Sequence, residues 1–405
     1  MEKKITFLSR VKRVWLPLLF LLATGCATVP EKPKLIDMMW PEPPLTPRVK
    51  FVRHLADERD LERKATFGES FLKFLTGKVP PTSQLYQPVE VAVSDDGQRI
   101  YLSDYSRGLV FRFDTDKKKV KLFGRFARPF GIALDQKENI YVSEQGSKYI
   151  RVMDQEGNLV RSITHEGLER PAGIAIDRKR GLLYVADASF ARSSFHLVRV
   201  FDLEGKYLKY IGMGRGFGPG QLYFPTYVTV DKEGNLYVTE TMNSRVSVFS
   251  PEGHFVRFIG ERGNAFGMFD KPKGVALDSF GNIYVVDSAW SNIQIFNPKG
   301  QILLFFGGRG DYPGLLKNPT GIAIDGQNRI YVADYLHNQV AIYQLVNTKA
   351  EDSYIEPSQT KGDGASQPSS TPGSTGGASP SPTKATNGDG ASQPSAQTNA
   401  KEERR

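Results

Sequence analysis

The chain has 405 residues, 40% hydrophobic and 11% aromatic, so it carries apolar material for a sizeable core. Lys and Arg outnumber Asp and Glu 53 to 44, a net charge of +9; residues 1–25 supply +4 of it (Lys3, Lys4, Arg10, Lys12 and Arg13 against Glu2), leaving +5 for the remainder. So mild a basic balance excludes a nucleic-acid-scale charge run. One cysteine excludes an intrachain disulfide and a cysteine-based zinc site.

In chain order, a basic segment to Arg13 is followed by an apolar run at 14–22 and by Ala23-Thr24-Gly25-Cys26. The run is too short to span a bilayer and has the length of a secretory h-region. Small residues ending on the only cysteine resemble the lipobox of bacterial lipoproteins. The resemblance implies a signal peptide over 1–25, lipidation at Cys26 and a place in the cell envelope. Ala23 stands where leucine is commoner. Ala27, rather than aspartate, implies the outer membrane of a Gram-negative bacterium.

Residues 26–46, with Pro30, Pro33, Pro41, Pro43 and Pro44, read as an extended tether. Residues 47–56 read as a strand. A short helix is expected over 67–76: Thr66 and Glu69 form a capping box, Phe67, Phe71, Phe74 and Leu75 share a face, and Gly77 ends it. That face is expected to cover one end of the domain. At the other terminus, residues 350–405 are rich in Ser, Thr, Pro, Gly and Gln and repeat an octapeptide at 362–369 and 388–395. Such a tail has nothing with which to bury a core and reads as disordered.

Between these segments lies an internal repeat. Pro88, Pro129, Pro171, Pro225, Pro272 and Pro319 recur at intervals of 41, 42, 54, 47 and 47 residues. Each is followed by a short apolar strand, then by a tyrosine, a second strand and an acid: Asp104, Glu144, Asp187, Glu240, Asp287 and Asp334. Two further strands complete each unit, often with the alternation of half-buried antiparallel strands. Four strands per period of this length make a propeller blade. The last unit has only three strands of its own, so the strand at 47–56 is expected to supply its fourth and close the ring.

The units resemble NHL repeats, most closely in Pro272-Lys-Gly-Val-Ala-Leu-Asp278 with Gly281-Asn-Ile-Tyr-Val-Val-Asp287. The resemblance implies an all-β, six-bladed β-propeller over 47–349, closed by an N-terminal strand.

The six acids occupy one equivalent position, which points to a structural task such as accepting backbone N–H bonds in the following loop. None of the five histidines follows a repeat proline, where amidating-lyase propellers carry metal ligands. No metal or cofactor is expected. Gly212 to Gly218 leads to a strand rather than a helix, so it reads as a flexible inter-blade loop, not a phosphate cradle.

Loops between blades, and between second and third strands, emerge on one face and concentrate basic and aromatic residues. Arg107, Arg125, Lys148, Arg192, Tyr223, Trp290, Arg309 and Tyr335 are the candidate binding residues there. Glu90 and Tyr227 replace the glycine found at Gly131, Gly173, Gly274 and Gly321. With Phe130 and Lys273 they are expected near the channel mouth, lining a pocket or plugging it. The expectation is a monomeric binding scaffold for an envelope protein, peptide or anionic glycan, anchored to the membrane by lipid and not engaging nucleic acid. The alternative is a lyase or lactonase acting in the channel.

Overall fold

Each repeat proline opens the innermost strand of a blade, the edge of its sheet that faces the channel. The computed structural model describes residues 38–61 and 84–353. The segment expected to be a secretion signal, Cys26, the first part of the expected tether, the helix expected over 67–76 and the tail beyond 353 lie outside the described residues.

Six antiparallel sheets follow one another along the chain. Their inner strands are Pro88–Val93, Pro129–Leu134, Pro171–Asp177, Pro225–Val230, Pro272–Leu277 and Pro319–Ile324, and each packs beside the next around a ring. The protein is a six-bladed β-propeller. Blades one to five have four strands each.

Blade six closes the ring. Strand β1 spans Met39–Trp40 and strand β2 spans Val49–Leu55. β2 pairs antiparallel with Gln339–Leu345, as the three-strand last unit requires, and β1 adds a fifth strand outside it. The Pro-rich stretch is therefore not an extended tether as far as residue 46. From Met38 onward it is a hairpin that extends the blade-six sheet, with Trp40 packed on Phe306 of blade five and Tyr343 of blade six at ring distances of 6.0 and 5.8 Å.

The repeat tyrosines Tyr101, Tyr141, Tyr184, Tyr237, Tyr284 and Tyr331 are buried in the blade layers. In three blades the hydroxyl donates to the aspartate ending the inner strand: Tyr237 to Asp231 at 3.2 Å, Tyr284 to Asp278 and Tyr331 to Asp325 at 3.0 Å. Those aspartates also accept backbone N–H groups of the turn that follows. One residue pair thus fixes a turn and fills the space between sheets.

Candidate functional site

Each repeat acid lies opposite its repeat proline in the strand register, from Pro88 with Asp104 to Pro319 with Asp334. The inner strand begins at the proline, so the amides of the loop just before it lie outside the ladder and need another acceptor. The acid side chains take them. Asp104 accepts from Tyr86 N and Glu144 from Ala127 N, both at 2.9 Å. Asp187 accepts from Arg170 N at 2.8 Å, Glu240 from Tyr223 N at 2.9 Å, and Asp287 from Asp270 N at 2.8 Å. Asp334 accepts from Lys317 N and Asn318 N at 3.0 Å. The acids do take backbone N–H bonds, but chiefly from the preceding loop. Only some, such as Asp287 with Ala289 N at 2.9 Å, also hold the following one.

Three successive inter-blade loops repeat a further pattern, Arg-Gly-x-x-x-Gly-x-Leu/Phe, at Arg215–Leu222, Arg262–Phe269 and Arg309–Leu316. In each, first and last residues form a parallel bridge. The last residue is fully buried, and the arginine donates to a carbonyl of the neighbouring loop: Ala191 at 2.7 Å, Met242 at 2.9 Å and Ala289 at 2.9 Å. The second glycine sits at φ +77, +82 and +92°, where only glycine is unstrained. The segment read as a flexible Gly212–Gly218 loop is thus a built turn. Between its two glycines each loop holds out one aromatic: Phe217 (72% exposed), Phe266 (73%) and Tyr312 (69%). With them on this loop face stand Phe190, Phe195, Met242, Trp290 and Leu336, all exposed. Sequence reasoning missed Phe217 and Phe266.

The other candidate residues spread over the same face. Arg125, Lys148 and Arg192 are exposed. Arg107 is held by Asp104 at 2.5 Å and by the Gln84 carbonyl at 2.6 Å. Tyr223 lies under Arg215, whose guanidinium carbon is 4.7 Å from the ring centroid. Tyr335 N is bonded to the Asn318 carbonyl at 3.1 Å.

Lys273 and Arg309 share one pocket. With Lys271, Lys317 and Leu336 they line a pocket of about 670 Å³ between blades five and six. Lys317 pairs with Asp311 at 2.9 Å. Lys273 is half-buried, and its pKa is lowered by burial and by the neighbouring Lys271 and Arg170 charges.

Glu90 and Tyr227 are not at that mouth. They are 8% and 3% exposed and line a second cavity of about 250 Å³, walled by all six inner strands. Blades one and four face each other across the ring, and the Tyr227 hydroxyl crosses to donate to the Val89 carbonyl at 3.2 Å. Phe130 packs on the Tyr227 ring at 5.3 Å and on Tyr105 at 6.3 Å. The channel is therefore plugged on the loop side, and the cavity opens on the opposite face, where the inner strands end. The four residues expected in one pocket are split between two faces. A side chain on an inner strand belongs to whichever end of the channel its neighbours leave open, and repeat position alone does not fix that.

Among the described residues no three His, Cys, Asp or Glu side chains are grouped to hold a metal. His196 is buried; its Nδ1 accepts from Phe224 N at 3.1 Å, and burial, then the Arg215 charge, lowers its pKa.

Fold and sites together define a six-bladed β-propeller carrying an NHL repeat. Residues 316–343, in blade six, match the family described as NHL repeat. Over 142 residues, 34% of this chain, the sequence is 28% identical to Protein brain tumor of Drosophila melanogaster; the match spans only 13% of that protein's length. Among solved structures, a protein of unknown function from Bacteroides thetaiotaomicron is similar at a TM-score of 0.55 and 16% identity, covering 65% of this chain and 70% of that one. A streptogramin B lyase structure is similar at 0.50 and 13% identity, covering 65% of this chain and 95% of that one. At such identities the likeness is one of fold alone.

Proposed function

We propose that this protein is a lipid-anchored, monomeric component of the cell envelope, held by Cys26 in the outer membrane, whose propeller binds an envelope protein or peptide through its loop face. One observation carries the reading: three equivalent loops, pinned by the same arginine and the same buried apolar residue, each expose an aromatic amid basic residues. Rigid aromatic anchors near arginines are what protein interfaces use for affinity. The opposite face offers polar turns such as Asp231-Lys-Glu-Gly234. A second reading, an anionic glycan, is favoured by the cationic pocket of Lys271, Lys273, Arg309 and Lys317. Catalysis gains no support from the six repeat acids, since all are engaged by backbone amides. A photo-crosslinking residue placed at Phe266 or Trp290 in cells is expected to capture one discrete partner, and at Lys232 none. Adducts from Lys232 alone would refute the choice of face; loss of the Phe266 adduct on adding a sulfated oligosaccharide would favour the glycan.

A further inference from the structure

The central cavity on the turn face holds an expensive feature that neither the propeller nor the loop face uses. The Glu90 carboxyl is buried among aliphatic inner-strand side chains, and its one hydrogen bond in the structure comes from the adjacent Val91 N at 3.1 Å. No cation faces it. Tyr227, the other polar group at the floor, spends its proton on the Val89 carbonyl. The remaining charged residue on the wall, Arg178, lies at the mouth, where Nη1 pairs with both oxygens of Asp95 at 2.7 and 2.8 Å and Nε donates to the Leu134 carbonyl. That pair joins turns of blades one and three across the opening, and Asp95 is 78% exposed, so it is a bridge that water readily opens.

Four of the six equivalent positions are glycine, because an added Cβ there would meet the next inner strand's backbone at 2.6–2.8 Å. A carboxyl at a fifth is no packing necessity. Deep in the channel without a counter-charge it is costly, and groups so perturbed concentrate at functional sites.

The geometry points to the central cavity as a binding site for a small amine, its ammonium seated on Glu90 and its body enclosed by the six inner strands. The volume is adequate: an apolar cavity of about 150 Å³ accommodates benzene. Burial raises the free Glu90 carboxyl well above its ordinary range and so favours its protonated form. Binding therefore exchanges a proton: the ammonium enters charged, the carboxyl loses its proton to solvent, and an ion pair forms in its place. Tyr227, whose pKa burial and then Glu90 raise further, keeps its own. The site is independent of the loop-face reading and stands if that fails.

Calorimetry with benzylammonium at neutral pH, in buffers of different ionisation enthalpy, tests it on the full chain. The expected result is saturable binding with close to one proton released per ligand. Glu90→Gln, which keeps shape and removes the charge, is expected to weaken benzylammonium by about tenfold or more while changing the neutral benzyl alcohol by less than about twofold. Tyr227→Phe keeps the ring and is expected to retain proton release. Undetectable benzylammonium binding, binding without proton release, or equal affinity in Glu90→Gln would each overturn the proposal.

Discussion

Replacing Phe51 by alanine tests whether ring closure by β2 holds the whole propeller. Phe51 is 4% exposed, meets Tyr343 edge-on at 5.6 Å and lies against Gly314, so its ring joins the N-terminal strand to the last blade and to an inter-blade loop. Truncating a buried phenylalanine costs about 3–5 kcal/mol, transfer and cavity together. Domains have only about 5–15 kcal/mol in total. For a domain this large, about 2 °C per kcal/mol translates the loss into a melting shift of about 6–10 °C. Val52, next in the strand, is 42% exposed at a register irregularity, so Val52→Ala is expected to cost less than about 1 kcal/mol. In protein prepared without residues 1–25, Trp40 and Trp290 are the two tryptophans, one on the closing hairpin and one in blade five. Urea unfolding followed at both, by mutating each in turn, is expected to show one transition that moves as a unit in Phe51→Ala. If Phe51→Ala unfolds within about 1 kcal/mol of the parent, or if Trp40 leaves first while Trp290 stays, β2 is an appendage and the closure argument is wrong.

Four other outcomes are expected. Asp187→Ala removes the acceptor of two loop amides and strands the buried Arg199, so it should lower unfolding stability by about 3–5 kcal/mol. Glu90 has its folded pKa raised by burial; its favourable contribution is full below the ordinary value of 4.5 and is lost as pH rises towards the folded value. The stability of Glu90→Gln relative to the parent should therefore grow as pH is raised above 4.5, and a flat difference would show that Glu90 is not buried in the folded state. Trp290→Ala should weaken a loop-face partner by about thirtyfold in equilibrium binding, whereas Arg192→Glu should slow association with an effect that fades in high salt. Cys26→Ser should move the protein from the membrane to the soluble envelope fraction; retention on membranes after a salt wash would show another anchor.

The propeller was legible because its repeat is physical. A proline that cannot donate, the acid opposite it and a buried tyrosine recur at a period that only a blade explains. The three-strand last unit exposed the missing strand by simple bookkeeping, and β2 lies there. Other features were not legible. The acids reach back to the preceding loop because its amides lie just outside the ladder and the acid stands opposite the strand's first residue, a relation that appears only in the cross-strand register. The Arg-Gly loops have equal lengths, and Arg215, Arg262 and Arg309 are 47 residues apart, so the pattern was readable. It was obscured because the exposed aromatic falls two, four and three residues after the arginine in turn. Trp40 lay hidden inside a proline-rich segment whose composition resembles a linker.

The two places where this propeller departs from its own repeat follow from how its constraints are distributed. Strand ends are committed: prolines, acids, tyrosines and turn aspartates satisfy one another, and changing any of them leaves a buried polar group without a partner. Variation is then tolerated at loop tips, which touch solvent, and at the inner-strand slot, where the cost is steric. That slot is closed wherever the next blade is near, as at Gly131, Gly173, Gly274 and Gly321. The inner strands of blades one and two, and of blades four and five, lie less closely together, and those gaps are where Glu90 and Tyr227 stand. The gaps face one another across the ring, so one side chain long enough to cross the channel seals its loop end. Tyr227 does so, and the space beyond it is left to Glu90. The same packing relation that forces glycine at four slots thereby separates the molecule into two chemically distinct faces, a loop face with exposed aromatics and cations and a turn face whose central cavity holds the buried Glu90.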